Sequence, residues 1–128
     1  MSDDLLEFAR ILVQAVRDEA VRNCDNYLLP GDHTPVGRRW AHPTDGACKE
    51  AIRRAIPDIV DETLFYLINR GIDQGMLQLT FHASSGRTLD LTEAGDGELG
   101  GWFMTAWRQE YSQERFSDDF GASARALE

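Results

Sequence analysis

Two thiols and two imidazoles lie within one 25-residue span of the chain: Cys24, His33, His42 and Cys48. Zinc favours this donor set, but structural zinc sites rely on close pairs such as C-x2-C or H-x3-H. Here eight, eight and five residues separate successive donors. Both cysteines also fall on apolar stripes of predicted helices, where a thiol behaves as a small buried hydrophobe. We therefore expect no metal site, no cofactor and two reduced cysteines.

Hydroxyl and carboxylate groups give no catalytic pattern either. Ser84 and Ser85 fall in a predicted hairpin turn and lack the sequence of a nucleophile elbow. The Asp32–His33 pair lies among prolines and glycines, which is turn chemistry. The Asp61–Glu62 pair lies near the start of a predicted helix, where the helix dipole and solvation account for carboxylates. We expect no catalytic residues, and this favours a protein that is not an enzyme.

The charge of the chain is acidic and unevenly distributed. Its 128 residues carry a formal net charge of −9, which argues against binding nucleic acid through phosphate contacts. Segment 38–54 has five basic against two acidic side chains, whereas segment 90–120 has two basic against eight acidic ones. Either the two segments neighbour each other in the fold, or they form surfaces for a partner.

The stretch from Ile56 to Leu91 is the clearest piece of predicted structure. Apolar residues at helical spacing predict an amphipathic helix that ends between Gly71 and Gly75. Its predicted buried stripe consists of Ile56, Ile59, Val60, Thr63, Leu64, Leu67 and Ile68. After Gly75 the period changes to two, which predicts a β-hairpin with its turn at 83–86. The inner face of the hairpin is predicted to be apolar and the outer face polar: Leu77, Leu79, Phe81, Leu89 and Leu91 inside, and Gln78, Thr80, Thr88 and Asp90 outside.

Helices are predicted on both sides of this stretch. The first runs from Asp3 to Cys24, is capped by Asp3 or Asp4, and has a polar face that includes Arg17 and Asp18. Its predicted apolar stripe consists of Leu5, Phe8, Ala9, Leu12, Val13, Val16 and Ala20. A second helix begins at Thr44 or Asp45. Pro57 then predicts a break and the start of a third helix, with one kinked helix as the alternative.

A fourth helix is predicted after Asp96, which is a suitable N-cap residue. Its stripe consists of Leu99, Trp102, Phe103, Ala106 and Trp107, extended by Tyr111. Gly100 and Gly101 lower helix propensity, and they favour close approach of another backbone.

These patterns predict an α+β fold of about four helices packed with a small antiparallel β-hairpin. The length favours one globular domain over 1–120, with a frayed tail at 121–128. The N-terminus lacks the basic and apolar regions of a signal peptide, and no apolar run is long enough to span a bilayer. We therefore expect a cytoplasmic protein that does not enter a membrane.

Segment 25–44 is the candidate binding surface, because loops on rigid scaffolds carry function more often than cores do. It holds Arg38, Arg39 and Trp40, which belong to residue types enriched in interface hot spots, together with His33 and His42. Positive charge here would attract an acidic protein or an anionic ligand. The alternative is structural: the two arginines pair with the acidic C-terminal segment, and Trp40 fills the core.

The sequence Gly-Glu-Leu-Gly-Gly-Trp-Phe at 97–103, with the helix and hairpin before it, resembles small uncharacterised bacterial proteins of about this length. The arrangement of acidic helices around a hairpin is also similar to that of some bacterial immunity or inhibitor proteins. These likenesses imply no site residues. The sequence thus favours a non-enzymatic protein-interaction module. The alternatives are an acidic immunity or inhibitor protein against a basic partner such as a nuclease, and a small enzyme with its site in 25–44.

Overall fold

The computed structural model describes residues 1–31, 33–41 and 45–117, and within these ranges it contains five helices and one two-stranded sheet. Helix α1 spans 3–27, α2 spans Pro35–Ala41, and α3 spans 46–73. Strands β1 (Thr80–His82) and β2 (Thr88–Asp90) follow, then the short α4 (Leu91–Gly95) and α5 over 99–111. The predicted α+β class is confirmed. None of the described helices has both the length and the apolar character needed to cross a bilayer.

Helix α1 changes its winding in the middle, and this changes which face is buried. Asp3–Ile11 and Glu19–Tyr27 are α-helical, whereas Leu12–Asp18 is π-helical. A π-helical turn holds more residues than an α-helical turn, so the buried row advances in steps of four. The row consists of Leu5, Ala9, Val13, Arg17 and Val21, all buried. The predicted stripe was right for Leu5, Ala9, Leu12 and Val13, which are buried, and wrong for Val16, which is exposed. Arg17 and Asp18, predicted on the polar face, are fully buried.

The predicted cap of α1 was also wrong. Ser2, not Asp3 or Asp4, is the N-cap, and its hydroxyl accepts a hydrogen bond from the Leu5 N–H at 3.2 Å. The acidic residues take up the first turn instead, where the helix dipole favours them.

Helix α3 runs through Pro57 as a single helix, so the predicted break at Pro57 was wrong and the alternative of one helix, without regard to a kink, is observed. Its residues Gly46–Tyr66 are α-helical and Leu67–Asp73 are π-helical. Asp45 is the N-cap and accepts a hydrogen bond from the Cys48 N–H at 2.8 Å. This bond lowers the pKa of Asp45, so the cap is intact above the ordinary carboxyl pKa and is lost as the pH falls. The other predicted cap, Thr44, lies outside the described residues.

The buried face of α3 is also rotated from the predicted stripe. Ile56, Pro57, Asp61 and Ile68 are buried, whereas Ile59 is 62% exposed. Thr63 and Leu67, which were also predicted inside, are exposed. The helix ends as predicted, with Gly75 in the left-handed conformation just beyond it.

The hairpin has the predicted turn and alternation, but its buried part is shorter. Thr80, Phe81 and His82 pair with Asp90, Leu89 and Thr88, respectively. Leu91 is buried, Phe81 and Leu89 are half-buried, and Gln78, Thr80 and Thr88 are exposed as predicted. Asp90 was also predicted outside, but it is half-buried and is the N-cap of α4. The prediction was wrong for Leu77 and Leu79, which are 46% and 41% exposed.

Helix α5 is capped from a distant part of the chain. The N–H groups of Leu99 and Gly100 donate to the Asp73 carboxylate at 3.1 and 2.9 Å. Asp96 was predicted as this cap, but it ends α4 in the left-handed conformation instead. Gly100 allows close packing as predicted, since a Cβ there would lie 3.1 Å from both Asn69 Cβ and the Phe65 ring. Gly101 is exposed and has no such contact.

Two apolar cores hold these elements together. The larger core joins α1, the end of α3, the hairpin and α5, and includes Val13, Ile68, Phe103 and Trp107. The smaller core joins the end of α1, α2 and the middle of α3. It consists of Val21, Leu28 and Ile56, with Cys24, Trp40, Ile52 and Val60 packed against them.

Candidate functional site

Helix α2 carries three of the five predicted binding residues. Arg38, Arg39 and Trp40 lie on this helix, and His33 is exposed just before it. His42 and Asp32 lie outside the described residues. The Gly37 N–H donates to the Thr34 hydroxyl at 3.0 Å, which fixes the first turn of α2. The structure therefore places these residues on a short helix.

Arg38 and Arg39 are exposed, and neither makes an ion pair with any described residue. The structural alternative requires Arg38 and Arg39 to pair with the acidic C-terminal segment, and no such pair is present among the described residues. The C-terminal segment makes other ion pairs: its Glu114 pairs with Arg22 at 3.1 Å, and its Arg115 pairs with Asp25 at 2.7 Å. Two adjacent guanidinium groups of α2 are left facing solvent.

Trp40 has a packing role. Its ring meets the Tyr27 ring edge-on, with the ring centroids 5.4 Å apart, and it packs against the smaller core. It is half-buried. The contact fastens α2 to the end of α1, so the part of the structural alternative that concerns Trp40 matches the structure.

The first half of α3 adds positive charge near α2. Trp40 of α2 and Ile52 of α3 both pack against the smaller core. Lys49 and Arg53 make no ion pair among the described residues. We call Arg38, Arg39, Lys49 and Arg53 the basic end of the molecule.

Two open clefts adjoin the basic end. The first, of about 390 Å³, lies between the end of α1 and the start of α3 and has both acidic and basic lining residues: Asp25, Asn26, Leu28, Leu29, Gly46, Lys49, Glu50 and Arg53. The second, of about 310 Å³, shares Glu50 and Arg53 and extends to Arg54, Pro57, Asp58, Arg115, Phe116 and Ser117. Leu28 and Leu29 of segment 25–44 line the first cleft, but neither cleft is lined by His33, Arg38 or Arg39.

A buried charge cluster forms the chemical centre of the fold, and the sequence reasoning missed it. It consists of Arg17, Asp18, Asp61 and Arg108, whose side chains are 0 to 5% exposed. Arg17 Nε and Nη2 donate to the two carboxylate oxygens of Asp61 at 2.7 and 3.1 Å. Arg17 Nη1 donates to Asp18 at 2.9 Å, and Arg108 Nη1 donates to Asp61 at 2.8 Å. Two positive and two negative charges therefore balance.

Residues 112–117, which we call the C-terminal strap, close this cluster. The Gln113 N–H donates to Asp18 Oδ2 at 2.8 Å, and the Ser112 hydroxyl lies 2.9 Å from Asp18 Oδ1. The Phe116 ring covers two guanidinium groups, 4.8 Å from that of Arg108 and 5.8 Å from that of Arg17. The charged groups of the cluster bind one another and the strap, so we assign the cluster a structural role.

Electrostatics agree with that role. Burial alone would lower the pKa of Arg17, but hydrogen bonds to Asp61 and Asp18 outweigh it and raise the pKa. A signal for burial did exist in the sequence, because Arg17 continues the four-residue row of Ala9, Val13 and Val21. An arginine in such a row is interpreted as exposed unless an acidic partner for it is known. The partner, Asp61, is 44 residues away in the sequence, so no local pattern indicates it.

The two cysteines differ in their exposure to solvent. Cys24 is half-buried, and desolvation raises the pKa of its thiol. Cys48 is exposed, so its predicted burial was wrong; its hydrogen bond with Asp45 raises its thiol pKa. Among the described residues, no three His, Cys, Asp or Glu side chains are grouped so that they could hold a metal ion.

Comparison with models of protein families, with curated proteins and with solved structures gave no match. The function must therefore be argued from the molecule itself.

Proposed function

We propose that the protein is a non-enzymatic protein-interaction module that binds an acidic partner through its basic end. The observation that carries this proposal is that Arg38 and Arg39 are exposed and make no ion pair with any described residue. Their helix packs against the same core as the part of α3 that carries Lys49 and Arg53. A guanidinium group is a planar fork of donors that binds carboxylates with two parallel hydrogen bonds. A partner that offers carboxylates would not first have to break an existing ion pair.

The packing of α2 supports the same proposal. Trp40 and Tyr27 hold the helix against α1, so the two arginines are presented from a fixed backbone. Fixing the backbone before binding lowers the entropy cost of association. On a chain with a net charge of −9, a local positive surface also steers an acidic partner towards one end of the molecule.

A capture experiment with paired variants tests the proposal. The double variant R38A/R39A is expected to lose at least tenfold in affinity for the partner captured by the wild type, with an unchanged melting temperature. The matched control is R10A/R87A, which removes the same charge from two other exposed arginines that make no ion pair with a described residue. Equal loss of affinity in both double variants would show that net charge, and not the basic end, determines binding, which contradicts the proposal. Undiminished binding by R38A/R39A would also overturn it.

A second candidate function is an acidic inhibitor that covers a basic partner such as a nuclease. It is favoured by Glu93, Asp96 and Glu98, which are exposed near α4 and make no ion pair among the described residues. The triple variant E93Q/D96N/E98Q distinguishes the two functions in the same capture experiment. Loss of binding in this variant, with binding kept by R38A/R39A, would favour the inhibitor.

A further inference from the structure

The outer edge of β1 has backbone groups that no described residue pairs. Within the hairpin, Leu79 C=O accepts from Leu91 N–H at 3.0 Å, and Ala83 N–H donates to Arg87 C=O at 2.9 Å. Because backbone groups alternate along a strand, residues 79, 81 and 83 face β2, and those of Gln78, Thr80 and His82 point away from it. These three residues are exposed, and the described sheet has no third strand.

This edge lacks the usual protection. Open edges are normally guarded by charged residues, especially lysine, because bare edges pair with other chains. Residues 74–86 contain no Asp, Glu, Lys or Arg, and this is the longest such run in a chain that is 27% charged. The run also carries exposed apolar side chains: Met76 is 75% exposed, Leu77 46% and Leu79 41%.

We propose that β1 pairs antiparallel with β1 of a second copy of this chain, with the two-fold axis at Thr80. In this register the two Thr80 residues exchange both backbone hydrogen bonds, and Gln78 does the same with His82 of the second copy. Leu79 then lies opposite Phe81 of the second copy, in the closer kind of cross-strand pair. The two hairpins form one four-stranded sheet.

The charge distribution selects a second copy as the occupant. Two molecules of net charge −9 repel each other over most of their surfaces, and the uncharged run is where they approach at the least electrostatic cost. The pairing is also self-complementary, since a threonine pair lies on the axis and no like charges face each other. A two-stranded hairpin gains support from two further strands, because hairpins alone are marginal.

Charge variants at the axis test the pairing by sedimentation equilibrium of the full chain. We expect a concentration-dependent dimer for the wild type. T80K puts two ammonium groups opposite each other, and T80E puts two carboxylates there, so each alone is expected to weaken the dimer at least tenfold. An equimolar mixture of T80K and T80E is expected to restore association, because opposite charges then meet at the axis.

The matched control is T88K. Thr88 is also exposed and pairs with His82 on the same face of the sheet, but it lies on β2, away from the outer edge of β1. T88K is expected to dimerise like the wild type. Amide hydrogen exchange gives a second measure: the amides of Gln78, Thr80 and His82 are expected to be protected in the dimer and to exchange rapidly in T80K.

Three outcomes would overturn this inference. They are a wild type that stays monomeric into the millimolar range, a dimer that T80K leaves unchanged, and protection of these amides only when a different protein is bound. The result is independent of the proposed partner surface, because R38A/R39A leaves β1 intact and T80K leaves α2 intact.

Discussion

At the scale of single residues, Asp61 is the carboxylate that binds both buried arginines. It accepts hydrogen bonds from Arg17 and Arg108 and is completely buried. Removing one partner of a buried ion pair leaves an uncompensated charge, which costs more than the pair itself contributes. D61N keeps the shape of the side chain but leaves the two arginines with one negative charge, that of Asp18. We expect it to lower the free energy of unfolding by about 3–5 kcal/mol, measured by urea denaturation.

The neighbouring residue supplies the control. Glu62 is exposed and makes no ion pair among the described residues, so E62Q is expected to change the unfolding free energy by no more than about 0.5 kcal/mol. Equal stability of D61N and E62Q would contradict the assignment of Asp61 as the centre of the buried charge cluster.

At the scale of elements, Arg115 explains how α3 tolerates Pro57. Proline has no N–H, so the carbonyl of Arg53, four residues earlier, lacks its normal helical donor. Arg115 Nη2 donates to that carbonyl at 2.7 Å, and the same guanidinium group holds Asp25 of α1 with two bonds of 2.7 Å. The hydrogen bonds to Asp25 raise the pKa of Arg115. Arg115 of the strap thus supplies the donor that Pro57 lacks and links α3 to α1.

A double-mutant cycle tests this arrangement. R115A is expected to cost about 1–3 kcal/mol of unfolding free energy, because it removes hydrogen bonds that involve charged groups. In a P57A background, the helix regains its own N–H for the Arg53 carbonyl, so R115A is expected to cost less there. Additive effects of the two substitutions would show that Arg115 does not substitute for the missing donor.

The limits of sequence reasoning are clearest in the same elements. Periodicity predicted the C-terminal part of α3, the hairpin strands and α5 because apolar spacing reflects local geometry. Pro57 led to the wrong prediction of two helices where α3 is one. It could not predict the π-helical turn of α1, which exchanged Val16 for Arg17 on the buried face, because winding depends on what packs against the helix. It also could not predict the Asp73 cap of α5, since a cap supplied from 26 residues away leaves no local pattern. The α2 arginines were identified by type, but their lack of ion pairs required the fold.

At the scale of the whole molecule, the strap is a second connection between three helices that the larger core also joins. It contacts Asp18 and Asp25 of α1, Arg53 of α3 and Arg108 of α5. The buried charge cluster lies beneath it, so the strap excludes water from those charges. Stability of the assembled helices should therefore depend on a short segment that adds little to either core.

Truncation tests this dependence. A chain ending at Tyr111 lacks the strap, so Asp18 loses the Gln113 N–H and the Ser112 hydroxyl, and water enters the cluster. We expect the unfolding free energy to fall by more than about 2 kcal/mol, since bonds to charged groups each contribute about 1.5–3 kcal/mol and water replaces them only in part. A chain ending at residue 117 keeps every described strap contact and is the control. Differential scanning calorimetry of both chains measures the effect: if they melt together, the strap lies over a cluster that is stable without it, and the two cores alone hold the helices in place.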